Sequence, residues 1–465
     1  MKTAGLLSIS FLFIVLSCKK ESFITSADAR VTISSDTLKY DTVFTSFGSI
    51  TQFLTLRNDN KQRLRISSIR LMGGNSSAFK INADGSPGPL ISNLELAPGD
   101  STYIFVNVSI SQTTANLPFV LQDSIAISYN GTERWVQLEA WGQNAHFLRD
   151  KVITANETWN NDLPYVILGS FHVRENNTLT INKGCRIYVH ANAPLIIDGT
   201  LEVNGEKDTA DRVYFIGDRL DEPYKDFPAG WPGMFFTASS KDNTLRYAVI
   251  RNAYQAIAVQ GIPANANPKI SLQECIIDNA YDAGIVSLHS SINARNCLIS
   301  NCGKNLLLAQ GGDYQFTHCT VVSYSNSYIL HRDPVLLLTN YIVIDNSPVA
   351  ADLRADFSNC IFWGENGLVD DEVVVGRSGN TVFNVSFDHI LWKLVNTPAD
   401  VSIAQVIYNH PPLFDSINTS KHYYSFRLKE GSPALEAGSA SAIAIDLDGA
   451  PRPVGLPDLG CFEKQ

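Results

Sequence analysis

The stretch from Val31 to Asn144 alternates between hydrophobic and polar residues, in segments such as QFLTLRN and TYIFVNVSI. Turn signals divide these segments, among them PGD at 98–100 and NG at 130–131. Alternation with period two puts one face of each strand into a core, and frequent short turns join strands antiparallel. The pattern predicts an antiparallel β-sandwich over residues 31–145.

Beyond residue 145 the pattern changes to an internal repeat. NAYQAIAVQG, NAYDAGIVSL and NCGKNLLLAQ align with one another, and so do the segments that precede them. The turn residues of the repeat, separated by 27, 22, 22, 23 and 18 residues, are Asn252, Asn279, Asn301, Ser323, Asn346 and Gly364. A unit of this length with several short strands cannot close a core by itself, so successive copies must stack.

Three strands fit into each repeat. The inward positions of the first include Ile270 and Leu272, those of the second Cys275 and Ile277, and the third strand follows the Asn turn. Stacking such repeats makes a prism of three parallel sheets that rises about 4.8 Å per coil. This is a β-helix, with roughly ten to twelve coils between residues 152 and 410. One inward column of the second strand forms a structural ladder of small side chains, namely Cys275, Cys297, Cys319 and Cys360.

Several motifs resemble those of known families. WPG at 231–233, the repeats, and the closing segments SPALEAGS, DLDGAPRP and PDLGCFE resemble right-handed parallel β-helix proteins of the pectate-lyase-like type. The order LTLRN, SAFKI, LAPGDSTYIFV and VQLEAWG resembles Ig-like domains of the abnormal-spindle type. The fold class expected is all-β. The predicted segments are a leader (1–17), a linker (18–30), an Ig-like sandwich (31–145), the β-helix (146–410) and its closing segment (411–465).

The first residues predict where the protein resides. An apolar run too short to span a bilayer ends in Leu16-Ser17-Cys18, which resembles the lipobox of bacterial lipoproteins. The resemblance implies cleavage before Cys18, lipidation of its thiol and a lipid anchor in the outer membrane, at the cell surface or on the periplasmic face. The alternative is an ordinary cleaved signal peptide.

The composition bears on nucleic acid as a partner and on the state of the cysteines. With 36 basic and 46 acidic residues the net charge is −10, which does not suit nucleic acid. An oxidising compartment permits disulfides, and the pairing state of Cys185, Cys302 and Cys461 is open at this stage. No cofactor is expected.

Candidate ligand-binding residues lie in one long loop and on outward positions of the second strand. Aromatic rings beside carboxylates suit saccharides, and the set comprises Tyr224, Trp231, Glu274, Asp278, Asn296, His318 and Tyr341. Glu274 and Asp278 stand four residues apart on one strand, about 13 Å, which is too far for a glycosidase pair. A cross-strand ion pair of Asp278 with Arg251 is the simpler interpretation. Trp231 packed on the helix wall and a solvated His318 are likewise the simpler alternatives.

A calcium site is the other chemical candidate. Asp446, Asp448 and Asp458 offer carboxylate oxygens near the C-terminus, although DLDG suits an Asx-type turn equally well.

The outer face of the second strand also carries an apolar row. It consists of Val249, Ile276, Leu298, Thr320, Val343 and Ile361. Exposed, such a row would be adhesive, so we expect a loop, the closing segment or a partner to cover part of it.

These patterns favour a cell-envelope protein whose β-helix binds extracellular polysaccharide. Alternatives are a polysaccharide lyase or glycoside hydrolase, and a structural stalk. The enzyme requires acids and an Arg or Lys within one groove across adjacent coils, and the aligned repeats show no such cluster.

Overall fold

The computed structural model describes residues 22–44, 51–110, 119–452 and 456–465. The leader and the predicted lipidation site at Cys18 lie outside these residues. The chain divides into two compact units, Met1–Gln143 and Asn144–Gln465. In the part of the chain that the structure describes, no helix is long and apolar enough to span a bilayer.

The N-terminal unit contains two five-stranded sheets around one hydrophobic core. Its strands are β1 (Val31–Ile33), β2 (Thr37–Phe44), β3 (Gln52–Asn58), β4 (Leu64–Leu71), β5 (Phe79–Ala83), β6 (Ser86–Pro87), β7 (Leu90–Leu96), β8 (Ser101–Val108), β9 (Phe119–Tyr129) and β10 (Thr132–Gln143), with a 3₁₀ turn at Gly74–Ser76. The sheet orders are β1-β3-β8-β5-β6 and β2-β10-β9-β4-β7. Leu54 and Ile104 from one sheet and Ile66 and Ile125 from the other are fully buried in the shared core. The alternating segments therefore form the expected two sheets, but the predicted antiparallel pairing fails at one place, since β2 pairs in parallel with β10.

The C-terminal unit is dominated by one 23-stranded sheet system. Its strands are β11 (His146–Ile153), β12 (Glu157–Trp159), β13 (Tyr165–Val173), β14 (Thr178–Asn182), β15 (Arg186–Val189), β16 (Leu195–Ile197), β17 (Thr200–Asn204), β18 (Val213–Gly217), β19 (Met234–Phe236), β20 (Asn243–Arg246), β21 (Ala248–Arg251), β22 (Gln255–Gln260), β23 (Ile270–Gln273), β24 (Ile276–Asp278), β25 (Ala283–Arg295), β26 (Leu298–Ser300), β27 (Lys304–Thr317), β28 (Thr320–Tyr324), β29 (Leu336–Thr339), β32 (Leu353–Glu365), β33 (Val373–Gly376), β34 (Phe383–Trp392) and β35 (Ser402–Tyr408). Outside it lie the hairpins β30–β31 (Tyr341–Ile344, Ser347–Ala350) and β36–β37 (Phe414–Asn418, Tyr423–Leu428) and the 3₁₀ turns Tyr224–Asp226 and Thr419–Lys421.

The connectivity is that of a parallel β-helix. Strands β20, β21 and β22 pair in parallel with β23, β24 and the first part of β25, so each strand lies beside the strand one coil later. We call the three stacks the first, second and third sheet, after β20, β21 and β22. The first sheet stacks ten strand segments, from β12 to β35. The expected parallel β-helix is confirmed, and its ten stacked strands in the first sheet fall within the predicted ten to twelve coils.

One predicted repeat is wrong. The turn residue Asn346 and the outward residue Val343 both assigned the segment YIVIDN, residues 341–346, to the second strand. The strand in that place begins near Cys360, 41 residues beyond Cys319. Residues 341–344 instead form a hairpin with 347–350, because Asp345 and Asn346 both have positive φ, as a two-residue type I′ turn requires. Val343 is consequently 62% exposed.

The ladder cysteines lie inside the β-helix. Cys275, Cys297, Cys319 and Cys360 are buried and free. Burial raises the pKa of Cys275, Cys297 and Cys319 well above the ordinary value, so these thiols stay protonated and unreactive. The remaining described cysteines, Cys185, Cys302 and Cys461, are also free and buried.

The C-terminal segment (residues 411–465) covers the apolar row of the second sheet. Phe414, Phe426 and Leu459 join Leu298 and Ile361 in one buried cluster. The predicted intramolecular cover is therefore confirmed, except at Val343, which lies in the hairpin.

Polar residues at the corner between the first and second sheets bind the same segment. Asn296 donates to the carbonyl of Ile445 at 2.8 Å and accepts from Arg452 at 2.8 Å. His318 lies 3.1 Å from the Ser441 hydroxyl and 3.0 Å from the amide of Asn359. Glu463 forms a buried ion pair with Arg452. These contacts fix the segment over its apolar contact surface.

One buried lysine closes the wall between the third and first sheets. Lys269 is fully buried, and its ammonium donates to the carbonyls of Thr237 at 2.9 Å, Ala238 at 2.8 Å and Gln260 at 2.7 Å. Burial lowers its pKa to about 8, which leaves it mostly charged at pH 7.

We expect Lys269→Met to destabilise the β-helix by about 2–5 kcal/mol, because three buried carbonyls lose their donor. The measurement is urea unfolding followed by fluorescence. The exposed Lys429→Met is the matched control and should change stability by less than about 0.5 kcal/mol. Equal midpoints for the two variants would contradict the structural role of Lys269.

We expect docking of the C-terminal segment to weaken as the pH falls below about 6.5, the ordinary histidine pKa. Burial, and secondarily Arg452, lowers the pKa of His318 to about 3. The folded state therefore binds fewer protons than the unfolded state between these two values, and stability is lost as the pH falls through this window.

His318→Gln should flatten this acid dependence in urea midpoints recorded from pH 7 to pH 4, whereas the exposed His410→Gln should retain it. Burial raises the pKa of Glu274 and Glu463, so these carboxyls act in the opposite direction and equally in both variants. Parallel pH profiles for the two variants would refute the assignment.

Candidate functional site

The three outer faces of the β-helix differ in chemistry. The C-terminal segment covers much of the second sheet. The third sheet presents a half-buried, mainly aliphatic row, which is Ile196, Phe235, Ala258, Val286, Leu307, Leu337 and Val374. The first sheet presents a polar row through all ten coils, consisting of Thr158, Thr180, Glu202, Thr244, Ser271, Asn293, Gln315, Asp356, Ser386 and Ser402. Only this last row offers hydrogen-bonding groups over the full length of the helix.

Period-two alternation positions these polar side chains. On β27, Tyr314 and Phe316 point into the core and are buried, whereas Gln315 between them is exposed. Neighbouring coils then place outward residues side by side. Asn293 donates to Gln315 at 3.0 Å, and Thr180 donates to Glu202 at 3.1 Å. The result is a ladder of amides and hydroxyls that spans several coils.

A groove of about 470 Å³ lies on this polar face. Its floor includes Asn293, Asp313, Gln315 and Arg354, and its rim includes the loop at 262–268. Two asparagines of this loop hold it in place, since Asn265 and Asn267 donate to Asp242 at 3.0 and 2.8 Å. We call this cavity the first-sheet groove.

The first-sheet groove combines a cation with carboxylates from two neighbouring coils. Asp313 on β27 lies directly opposite Arg354 on β32, and Asp352 and Asp356 stand two residues on either side of Arg354. Asp352 accepts the Val382 backbone amide at 3.0 Å. The exposed guanidinium of Arg354 makes no ion pair with any described residue, so its donors are available to a ligand.

Two further groups stand at the end of the first-sheet groove where the third sheet turns into the first. His289 has a positive φ of 48° at this corner, and its Nδ1 lies 3.1 Å from the carbonyl of Gln310. The Ser290 hydroxyl is buried and has no hydrogen-bond partner among the described residues. The groove is thus lined by neutral polar groups, by three charged side chains and by several apolar residues.

The two aromatic candidates from the long loop have different environments. Trp231 is buried, and its indole N–H donates to the carbonyl of Arg251 at 2.8 Å, so it packs on the helix wall. Tyr224 is 46% exposed, and Arg219 lies 4.0 Å above its ring. The structure therefore does not bring these two rings to one surface.

Three candidates lie at the left-handed corner between the first and second sheets, beneath the C-terminal segment. Glu274, Asn296 and His318 have φ of 52°, 48° and 53° and are fully buried. Glu274 accepts from Asn296 at 3.2 Å. Their burial makes them inaccessible to a large ligand while the segment is docked.

Asp278 and Tyr341 are separated from the others. Asp278 lines a cleft of about 430 Å³ next to the hairpin β36–β37. It accepts from Ser300 at 2.7 Å and lies 3.6 Å from Arg251, which is the anticipated cross-strand pair. Tyr341 belongs to the hairpin at 341–350 and not to the column of His318. A ligand-binding role for these residues stays a prediction.

The calcium candidates bind backbone amides. Asp446 accepts from the amides of Asp448 at 2.9 Å and Ala450 at 2.8 Å, which makes the DLDG segment an Asx-type turn. Asp458 accepts from the amides of Glu436 and Lys464, both at 2.8 Å. Across the described ranges, no group of three or more His, Cys, Asp or Glu side chains is placed to hold a metal.

Sequence reasoning missed the residues of the first-sheet groove because it placed the candidate ligand-binding residues in the long loop and on the second strand. Steps of 22 residues lead from the inward Ile270 to Ile292 and then to Tyr314, which implies that Asn293 and Gln315 point outward and adjoin. The pairing of Arg354 with Asp313 could not be predicted for a different reason. The hairpin at 341–350 lengthens the coil, so Arg354 occurs 41 residues after Asp313 and falls outside a 22-residue register.

Comparison with known proteins gives no family. No family model matches the sequence, and no curated protein matches it. Similar solved structures include a family 123 glycoside hydrolase from Clostridium perfringens (10% identity over 26% of this chain and 30% of that chain, TM-score 0.19). Others are the E. coli chaperone DraB (12%, 24% and 54%, TM-score 0.18) and the ASH/PapD-like domain 7 of human CEP192 (10%, 30% and 97%, TM-score 0.18). Each likeness covers less than a third of this chain, and none assigns it a function.

Proposed function

We propose that this protein is a cell-envelope lipoprotein that binds extracellular polysaccharide along the first-sheet groove. The observation that carries the proposal is the ladder of outward amides and hydroxyls, with the contact from Asn293 to Gln315 at its centre. Planar amides present a donor and an acceptor together, which suits the hydroxyl groups of sugars. Because the ladder repeats about every 4.8 Å, it offers successive similar sites to a linear polymer.

The envelope location in this proposal comes from the leader and Cys18. A lipidated cysteine would anchor the mature chain to the outer membrane, with the β-helix in contact with glycans outside the bilayer. The free, buried cysteines suit such a compartment, because a thiol without access to oxidant stays reduced.

A second candidate function is a polysaccharide lyase or glycoside hydrolase. It is favoured by Asp313, Arg354 and Asp352, which place acids and a cation in one groove across adjacent coils. Asp313 and Asp352 line the same groove, as two carboxylates that flank one glycosidic bond must. The pair Glu274 and Asp278 does not meet this condition.

We expect Asn293→Ala combined with Gln315→Ala to weaken polysaccharide binding about tenfold, because two hydrogen-bonding side chains are lost from the floor of the groove. The measurement is calorimetry of the mature chain against a panel of neutral and acidic glycans. Asn380→Ala, an exposed asparagine outside the groove, is the control and should bind normally. Unchanged affinity in the double variant would exclude this groove, and no binding to any glycan would favour a structural stalk.

The same incubations decide between binding and catalysis. A binding protein yields no new reducing or unsaturated ends after prolonged incubation. If products do form, Asp313→Asn should abolish them while leaving glycan affinity within about threefold, because the change removes one charge from an exposed side chain. Product formation that survives Asp313→Asn would place the chemistry elsewhere.

A further inference from the structure

Three aromatic side chains are exposed together on the outer face of one sheet in the N-terminal unit. Phe53, Tyr103 and Phe105 are 54%, 49% and 42% exposed. Exposed aromatic rings that adjoin one another usually mark an interaction site. We call these three rings the aromatic platform.

The strand register holds the aromatic platform in place. Phe53 on β3 lies opposite Phe105 on β8, and the residues beside them in sequence, Leu54 and Ile104, are fully buried. Ring centroids are 5.3 Å apart for Phe53 and Tyr103, 5.9 Å for Tyr103 and Phe105, and 6.2 Å for Phe53 and Phe105. Because both strands are anchored in the core, the rings form a preorganised surface.

Polar side chains border the aromatic platform. Thr55 lies opposite Tyr103, Asn82 opposite Phe105, and Asn107 opposite Lys80. The surface therefore has an apolar centre with hydrogen-bonding groups around it. A sugar ring has the matching pattern, since its faces carry C–H groups and its edge carries hydroxyls.

The size of the aromatic platform argues against a second copy of the chain as its occupant. An aromatic side chain has about 150–250 Å² of surface, so three half-exposed rings present roughly 300 Å². A stable protein interface needs about 800 Å² from each partner. A chain of two or three sugar units fits the smaller area.

We propose that the aromatic platform is a second glycan site, which binds pyranose rings of an extended polysaccharide by stacking their C–H faces on Tyr103 and Phe105, whose rings lie within 24° of one plane, while Phe53 stands edge-on beside them. This site does not rest on the function proposed for the β-helix.

The test uses the full mature chain and soluble neutral and acidic polysaccharides, namely xylan, β-glucan, alginate and polygalacturonate. Tyr103→Ser combined with Phe53→Ser should lower the affinity for at least one of them about tenfold. The matched control is Trp135→Ser, since Trp135 is 44% exposed on the other sheet of the same unit, and it should stay within about twofold of the wild type. Circular dichroism and urea midpoints establish that the variants fold.

The inference would be overturned if the double Ser variant bound every glycan with the affinity of the wild type. A dimer in sedimentation that dissociates in the same variant would also overturn it, because it would make a second copy the occupant. The groove variants Asn293→Ala and Gln315→Ala separate the two proposals. If glycan affinity falls only in the groove variants, the function proposed for the β-helix stands and the platform is refuted. If glycan affinity falls only in the platform variant, the platform stands and the groove is refuted.

Discussion

Hydrogen bonding between successive coils is the constraint on which the β-helix depends. Each strand of the first, second and third sheets gives its backbone donors and acceptors to the strands one coil before and after it. A side chain that points inward must then lie directly over its equivalent in the next coil, as Ile270 does with Ile292. The inward columns are therefore restricted to residues that stack without polar cost, while the outward columns are free to vary.

That freedom explains why the three outer faces differ so much. The polar column of the first sheet stays in contact with water, whereas an apolar column has to be covered or remain adhesive. For the second sheet the chain supplies its own cover, because Phe414 and Leu459 of the C-terminal segment pack on Leu298 and Ile361. Polar groups at the adjoining corner hold this cover in place. Asn296 and His318 have left-handed backbone conformations there, and their side chains contact the C-terminal segment.

The periodicity of the sequence was sufficient to predict the stacked coils of the β-helix. Stacked columns repeat with the coil, so Cys275, Cys297 and Cys319 could be aligned from the sequence alone and placed inside. Hydrophobic burial also implied that the apolar row needed a cover. Periodicity could not predict contacts that occur only once, such as those between the coils and the C-terminal segment. His318 and Asn296 were predicted to be outward polar residues, and nothing in their own repeats indicated that residues more than a hundred positions away would bury them.

The hairpin at 341–350 shows why the site was harder to predict than the fold. Its first residues, YIVIDN, resemble the coil segments ECIIDN and NCLISN, and a local pattern cannot tell whether a strand pairs with the preceding coil or folds back on itself. The two positive φ values at Asp345 and Asn346 decide in favour of the hairpin. Once those ten residues leave the helical path, the next first-sheet strand begins at Leu353, and Arg354 comes to lie against Asp313. The hairpin and the long connection from Tyr324 to Leu336 together lengthen this coil from 22 to 41 residues, and they bring the opposite charges of Asp313 and Arg354 side by side in the first-sheet groove.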